Sequence, residues 1–548
     1  MEQNFYSATS PCKVLLTADI TIMSNNQSLF YGFLSAAPRK GIPFVSAPLL
    51  FKIMFKNVPC DSGKRAELAP MGLRRIESSL IHQGFSREDV VITTSNNLRH
   101  FFSESLKVIG ISVMDPLGKG PASSSFGGKY GIINHQPFNS FKFEKFMESN
   151  TLKQAKLMGV KIVVGGPGAW QLDDEEMTRL GIDVVVDGEA DLLFPEVVKK
   201  IIDGRLETPS IIKAKPSDIP ETSQIPPALG ATIGGIVEIS RGCGRGCNFC
   251  LPNLRRVRHR PQPDIIADVR TNVENGQSAI CLHAEDVLRY GTSSIIPESE
   301  KVINLFQSVN NISGITDICI SHASLASIAS SPQTLGKISD LLGYNEHRWM
   351  GFQTGIETGS PAIIERLMSM KAAPFKPSEW HHVVETAFAI CHDNNWVPAA
   401  TLVVNLPGET EQDVTQTIEL VESLREFKSI IVPLLFVPMG ESIQPPMRMI
   451  DDAKSYHCDL YKSIWRHDMR WMQLILDDYT RGNGILTKIA LKGAADLVKN
   501  VADPIAVYLL NKRAKAAYKE MELRRRKIEQ KSSPEVSNAF EPDLYSKS

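Results

Sequence analysis

Short apolar runs alternate with amphipathic stretches through most of the first 440 residues. Runs of strand length stand at Lys13–Ala18, Val90–Thr93, Val108–Met114, Val160–Val164 and Ile182–Val186. Between them, Gly72–Gln83 and Phe143–Met158 carry apolar residues at helical spacing, and Phe194–Ile202 follows the last run. β-branched runs separated by helices predict an open parallel sheet of the doubly wound, Rossmann-like α/β kind over residues 1–203. In such sheets ligands sit beyond the carboxyl ends of the strands. Residues 204–234 break the pattern with Pro209, Pro216, Pro220, Pro226 and Pro227. Proline removes backbone donors, so this segment reads as a linker or surface strap. From Gly235 a second series begins: IVEIS, AICLHA, DICISHA, WMGFQTGIE, VPAATLVVNLP and SIIVPLLFVP. Six strand–helix units predict a partial (β/α)6 barrel over residues 235–440, with chemistry at the strand C-termini. Residues 441–530 turn helical, through an amphipathic stretch at Asp459–Leu476 and a basic helix around Ile505–Gln530, and 531–548 read as a disordered tail.

At 548 residues the chain is too long for one core. Its 43% hydrophobic and 22% charged fractions are those of an ordinary globular protein, and a net charge of −1 supplies no global field for nucleic acid or a membrane. No apolar run reaches the roughly 18 residues needed to span a bilayer. The N-terminal residues MEQNFYSATSPCKVLL lack the basic start and apolar stretch of a signal peptide, so a cytoplasmic location is expected. Nine cysteines in such a chain do not make a disulfide framework. Cys12, Cys60, Cys281, Cys319, Cys391 and Cys458 are scattered and read as small buried hydrophobes. The other three fall within eight residues.

Those three stand in Ile239–Cys250, ISRGCGRGCNFC, a C-x3-C-x2-C spacing directly after a predicted strand. Thiolates are soft anionic ligands suited to iron–sulfur clusters. Cys243, Cys247 and Cys250 on one loop can ligate three irons of a cubane and leave the fourth open, by the logic of an open catalytic metal site. Gly242, Gly244 and Gly246 let the backbone wrap closely and offer amides to cluster sulfurs. The bland alternative is a zinc knuckle, which wants a fourth Cys or His nearby; His259, within RRVRHRP, has no partner at the right spacing.

The cysteine motif, with Phe249 before its last cysteine, resembles the signature loop of radical S-adenosylmethionine (SAM) enzymes, and the resemblance extends over residues 235–440. It implies a [4Fe–4S] cluster whose open iron is chelated by SAM, cleaved on reduction to a 5′-deoxyadenosyl radical. GFQTGIETGS resembles the fourth-strand SAM motif, with Glu357 and Thr358 at the strand end. NLPGET, with Asn405 and Gly408, resembles the turn near the adenine or ribose. HAED, with Glu285 and Asp286, resembles the region near the SAM amino group. Taken alone, each is a strand-end turn with glycine and polar caps.

In the N-terminal domain, glycine-rich loops follow the predicted strands: MDPLGKGPASSSFGG, GGPGA and DGEA. Small residues there let a bulky ligand approach the backbone. No G-x-G-x-x-G follows the first strand, so a dinucleotide is disfavoured. The set resembles the cobalamin-binding domain fused to radical SAM barrels. The resemblance implies cobalamin contacts at Thr17, Asp19, Thr21, Asp115, Gly118, Gly165, Gly166, Gly168, Gly188 and Glu189. Where the familiar D-x-H-x-x-G loop places a cobalt-ligating histidine, this chain has Thr21, which implies cobalamin bound without a protein histidine. A flavodoxin-like domain kept for packing, or for another ligand, is the alternative.

Together the two resemblances imply a cobalamin-dependent radical SAM methyltransferase acting anaerobically on an unactivated sp3 carbon, with a reducing electron donor as partner. APMGLRRIESSL and DPLGKGP are similar to archaeal members, one of which methylates a glutamine α-carbon in methyl-coenzyme M reductase; that protein is the implied substrate. Three rivals stand beside this reading: radical methylthiolation, which normally brings a second three-cysteine set; cyclisation or rearrangement without methyl transfer; and a non-catalytic cobalamin or cluster carrier. The basic stretch from Lys512 to Lys527 reads as a solvated helix face rather than a docking site.

Overall fold

The computed structural model describes residues 12–25, 29–40, 51, 54–129, 131, 133–250, 256–438 and 452–479, with positions 512, 515, 519 and 522. Apart from those four positions, the basic helix and the tail expected at the C-terminus lie outside the described residues.

Two parallel α/β units make up the described chain. In the first, β1 (Val14–Ala18), β2 (Val90–Ile92), β3 (Val108–Ser112), β4 (Lys161–Gly165), β5 (Val184–Asp187) and β6 (Ser210–Lys213) form one sheet in the order β2-β1-β3-β4-β5-β6. Every pairing is parallel. β1 and most of β3, β4 and β5 are buried, because helices cover both faces of the sheet and leave no polar side to the strands. One core lies on each face: Leu15, Ile109, Ile162 and Val185 point to one, Val14, Leu16, Val163 and Val184 to the other. The side-chain period of two thus divides a continuous apolar run between two layers. β6 lies inside the proline-rich 204–234 segment. Its Ile211 and Ile212 are β-branched and pair with Val185 and Val186, so the sheet runs one strand further than the proline pattern predicts.

The second unit holds β7 (Ile236–Glu238), β10 (Ala279–His283), β11 (Asp317–Ile320), β12 (Met350–Glu357), β13 (Trp396–Val404) and β14 (Ile430–Leu435). They form two parallel three-stranded sheets, β7-β10-β11 and β12-β13-β14, joined by a single bridge between His322 and Gln353. The result is a six-stranded, unclosed barrel, with one continuous core between strands and outer helices. The short antiparallel pair β8 (Ser240–Arg241) and β9 (Arg258–His259) branches off after β7. The helix Ser455–Tyr479 packs along β14, where the Asp468 carboxylate accepts from the Ile431 amide at 2.8 Å.

The two units meet at both outer strands of the barrel. Near β7, Arg75 of the helix Met71–His82 reaches Glu238 and Asp268. At β14, the Leu435 amide donates to Ser125 Oγ at 2.7 Å, and the short helix Pro121–Phe126 packs on the strand. Ser125 follows β3 and Glu238 ends β7, so the carboxyl ends of the N-terminal sheet face the strand C-termini of the barrel.

Candidate functional site

The cysteine loop leaves the barrel directly after β7. Gly242, Gly244 and Gly246 all adopt left-handed backbone, with φ of 76°, 70° and 66°. Left-handed residues alternating with others turn successive amides toward one side, a concavity that favours anions. Cys243, Cys247 and Cys250 form no disulfide and are partly exposed. Two buried arginines pin the loop. Arg245, between the first two cysteines, donates from Nη1 to the carbonyls of Met370, Lys371 and Ala373 at 3.0, 3.0 and 2.9 Å. Its Nη2 donates to Ser327 Oγ at 3.1 Å, while Asp286 lies 3.6 Å away. Arg289 donates to the Cys243 carbonyl and to that of Ser294. Burial pushes the Cys247 thiol up, opposed by Lys371 and Arg245. A loop wound in this way, with Lys371 and Arg245 acting electrostatically on Cys247 and Arg289 on Cys243, fits an anionic iron–sulfur cluster. Among the described residues, no three His, Cys, Asp or Glu side chains are grouped to hold a single metal ion, so the fit rests on the loop's winding and charge. Phe249 packs against the barrel core beside Cys247.

The rim of strand C-termini gathers the other barrel residues singled out in the sequence. Between Gly355 and Glu357 the β12–β13 register shifts, and Glu357 takes φ of 63°. A bulge re-aims the side chain beside it; here the Glu357 carboxylate folds back over Gly355, where a Cβ would lie 2.0 Å from Oε1. It accepts from Lys371 Nζ at 3.1 Å and from Thr401 Oγ1 at 3.2 Å. Thr358 is turned inward. Its hydroxyl accepts from the Ser360 amide and contacts Thr417, and its carbonyl accepts from Trp380 Nε1. Asn405 has φ of 65°, held by its amide donating to Glu409 Oε2 at 2.8 Å. Glu409 in turn lies 3.3 Å from His457 of the helix Ser455–Tyr479. Gly408 is also left-handed, and a Cβ there would meet Arg366 at 3.0 Å. Asp286 accepts from the Ser324 amide and Ser327 Oγ, so it braces the ground under Arg245. Glu285 is pushed up by burial, and its neighbour His283 is pushed down by burial and by His322, whose ring centroid is 6.0 Å away.

The N-terminal sheet order reverses between β1 and β3, the topological switch point where open α/β sheets receive ligands. Asp19 and Thr21 follow β1 there, and Met114 and Asp115 follow β3. Asp19 is buried and raised to about 6 by desolvation, although Thr21 donates to it from amide and hydroxyl at 2.8 and 2.6 Å. Thr17 is fully buried in β1. Met114 is 61% exposed, an apolar side chain at the mouth of the crevice. That combination fits a large, partly apolar ligand. Asp115 serves its own loop, accepting from the Gly120 amide at 2.9 Å and from Gln171 Nε2 at 2.7 Å.

The glycines predicted to admit a ligand mostly admit the chain itself. A Cβ on Gly166 would lie 2.6 Å from the Val113 carbonyl oxygen, and one on Gly168 would lie 2.4 Å from that of Met114. On Gly118 it would meet Pro137 at 2.9 Å, and on Gly188 the Ala214 side chain at 2.6 Å. Gly165 has more room, with nothing nearer than 3.4 Å. Glu189 is committed to the barrel, paired with Arg241 at 2.8 Å and with Arg258. The segment APMGLRRIESSL likewise serves the chain itself: Arg74 donates to the Ala231 carbonyl at 3.1 Å within the N-terminal unit, and Arg75 crosses to the barrel, pairing with Glu238 and Asp268 at 3.2 and 2.5 Å.

Residue types alone gave no sign of Arg241, Arg245, Arg289 and Lys371. Arg245 had one available signal: a long cation between glycines, inside a thiol motif, has nowhere to go but into the protein.

No family model matches the chain. A tRNA-2-methylthio-N(6)-dimethylallyladenosine synthase from Syntrophus aciditrophicus is 25% identical over 289 residues, 49% of this chain and 56% of that protein. A ribosomal protein uS12 methylthiotransferase from Akkermansia muciniphila is 23% identical over 268 residues, 44% of this chain and 54% of that protein. The chain thus spans about half the length of the curated relatives it matches. In structure it is similar to the radical S-adenosylmethionine methyltransferase TsrM from Kitasatospora setae, solved with cobalamin and a [4Fe–4S] cluster. The TM-score is 0.50 at 13% identity, over 78% of this chain and 77% of that one. The same enzyme with tryptophan and a SAM analogue bound gives the same score over 74% of its length. The fold, a Rossmann-like unit followed by a partial barrel, is shared with that enzyme. Among the described residues no helix is long and apolar enough to cross a membrane.

Proposed function

We propose that this chain is a cobalamin-dependent radical SAM methyltransferase, with a [4Fe–4S] cluster on Cys243, Cys247 and Cys250 and cobalamin at the β1/β3 crevice. One observation carries the reading: a three-thiol loop wound by three left-handed glycines is tied, through Arg241 and Glu189, to the carboxyl edge of the Rossmann-like sheet whose order reverses between β1 and β3. When bound, the cluster would supply the electron that cleaves SAM, and cobalamin would supply the methyl group. The chain's own residues hold this in place. Arg245 and Arg289 fix the loop's path, while Lys371 and Thr401 hold the Glu357 carboxylate at the rim where SAM would lie. Asp19 and Met114 form the two sides of the crevice. Facing sites preposition two reacting centres around a substrate between them.

The target put forward is an unactivated sp3 carbon of a protein, the glutamine α-carbon of methyl-coenzyme M reductase first. A second reading, methylthio transfer, is favoured by the names of the sequence relatives. One anaerobic assay separates them. Reconstituted protein should hold about four irons per chain and bind cobalamin. With reductant, SAM and substrate it should yield S-adenosylhomocysteine, 5′-deoxyadenosine and a product heavier by one methyl group. A methylthio mass increment favours the second reading, and deoxyadenosine alone a rearrangement. Iron content and SAM cleavage unchanged by triple replacement of the three cysteines with alanine overturns the proposal.

A further inference from the structure

Both strands that bracket the cysteine loop place an arginine on the same loop of the N-terminal unit. β8 enters the cysteine loop and β9 leaves it, paired as Ser240↔His259 and Arg241↔Arg258. Arg241 stands two residues before Cys243. Its Nε donates to Glu238 Oε1 at 2.6 Å and its Nη2 to Glu238 Oε2 at 3.3 Å, within the barrel. The other three donations cross to the loop after β5: Nη1 to Glu189 at 2.8 Å and to Asp191 at 2.7 Å, Nη2 to Asp191 at 2.9 Å. A guanidinium has five N–H donors, and all five are used. Arg258 donates to the second oxygen of Glu189 and to the Pro220 carbonyl. Glu189 and Asp191 follow Gly188, whose φ of 120° turns the chain out of the sheet. Four arginines (75, 241, 258 and 260) and four acids (189, 191, 238 and 268) therefore make one charge-balanced seam.

We propose that Arg241 is a positioning residue that ties the order of the cysteine loop to the order of the β5 loop, so that filling the cluster site stiffens the N-terminal ligand site and the reverse. The proposal rests on the proposed function for the identity of the two ligands, but not for the linkage itself. A rigid fork spends its donors on both units, so the cysteine loop cannot shift without moving Glu189 and Asp191. Energetic coupling between sites is reciprocal: whatever factor the cluster adds to ligand binding at the sheet, that ligand adds to cluster retention. Lysine retains the charge but not the fork, so it cannot hold both carboxylates in this geometry.

The test is hydrogen exchange of the full chain, read by mass spectrometry on peptides covering residues 187–192, before and after anaerobic reconstitution with iron and sulfide. In the wild type, loading should slow exchange there about tenfold, within the usual range of site-to-site coupling. Arg241→Lys should keep the fold and lose most of that response. Asp191→Asn leaves Arg241 paired with Glu238 and Glu189, so it guards against a simple folding failure and should show a partial response. Hydroxocobalamin titration of the same samples should show tighter binding to loaded than to iron-free wild type, and equal binding to both forms of Arg241→Lys. An unchanged exchange rate in the wild type, or a full response in Arg241→Lys, overturns the proposal. Iron and cobalamin stoichiometries on those samples report separately on the proposed function: a wild type that takes up neither refutes that reading by itself.

Discussion

Glu238 provides the sharpest quantitative test of the seam between the units. It is buried, which works against its charge, yet Arg241 and Arg75 outweigh that cost and hold its carboxyl at about 2 rather than 4.5. At about 1.4 kcal/mol per pH unit this corresponds to about 3 kcal/mol of stability at neutral pH. That agrees with the ~3–5 kcal/mol lost when one partner of a buried pair is removed. Glu238→Gln keeps the shape and leaves Arg75 and Arg241 short of one negative charge. Its sign follows from the depressed carboxyl: the contribution is complete above about pH 4.5 and fades as the pH falls toward 2. Urea unfolding of wild type and variant should therefore differ by about 3 kcal/mol at neutral pH, and the gap should narrow steadily below about pH 4.5. A gap under ~0.5 kcal/mol at neutral pH, or one independent of pH, would refute the electrostatic account of the seam.

Other expectations can be checked on the same protein. Arg245→Ala removes charge-assisted bonds, each worth ~1.5–3 kcal/mol, so reconstituted variant should surrender iron to a chelator at least tenfold faster with unchanged far-ultraviolet dichroism. Asp19 is raised to about 6 from an ordinary 3.8, so the folded state holds a proton that the unfolded chain releases. Wild-type stability should accordingly fall as pH rises from about 4 to 6. Asp19→Asn, which keeps the acceptor for Thr21, should abolish that fall and gain up to ~3 kcal/mol at neutral pH in thermal melts. Gly168→Ala, whose Cβ would meet the backbone oxygen of Met114, should cost more than ~2 kcal/mol and weaken cobalamin binding, whereas Gly165→Ala should stay within ~1 kcal/mol. Equal costs would remove the distinction drawn between those two glycines.

The strands of both units could be read from the sequence because β-branched runs bounded by glycine and polar turns carry their own signal. β6 escaped because flanking prolines masked two isoleucines. The thiol loop was legible for a related reason: three cysteines in eight residues have few structural uses. What the sequence hid was the purpose of single residues. A glycine reads the same whether it makes room for a ligand or for a carbonyl, and Gly166 and Gly168 turn out to face carbonyls. Glu189 looks like a ligand contact until its partners, 52 and 69 residues away, are known. Arginines at 241 and 289 carry no local sign of burial, and only Arg245, set between glycines inside the thiol motif, offers one. Long-range pairing is a property of the fold, and composition does not record it.

An unclosed barrel has two outer strands, and each ends on the N-terminal unit, β7 through Glu238 and β14 through the amide of Leu435 capped by Ser125. Neither half is therefore interchangeable. A foreign Rossmann-like unit grafted onto this barrel would have to bring its own equivalents of Arg75, Ser125, Glu189 and Asp191, or leave Arg241, Arg258 and Asp268 stranded in a poor dielectric. Recombination among distant relatives should thus preserve the two halves as a matched pair, and the residues at their junction should change together or not at all.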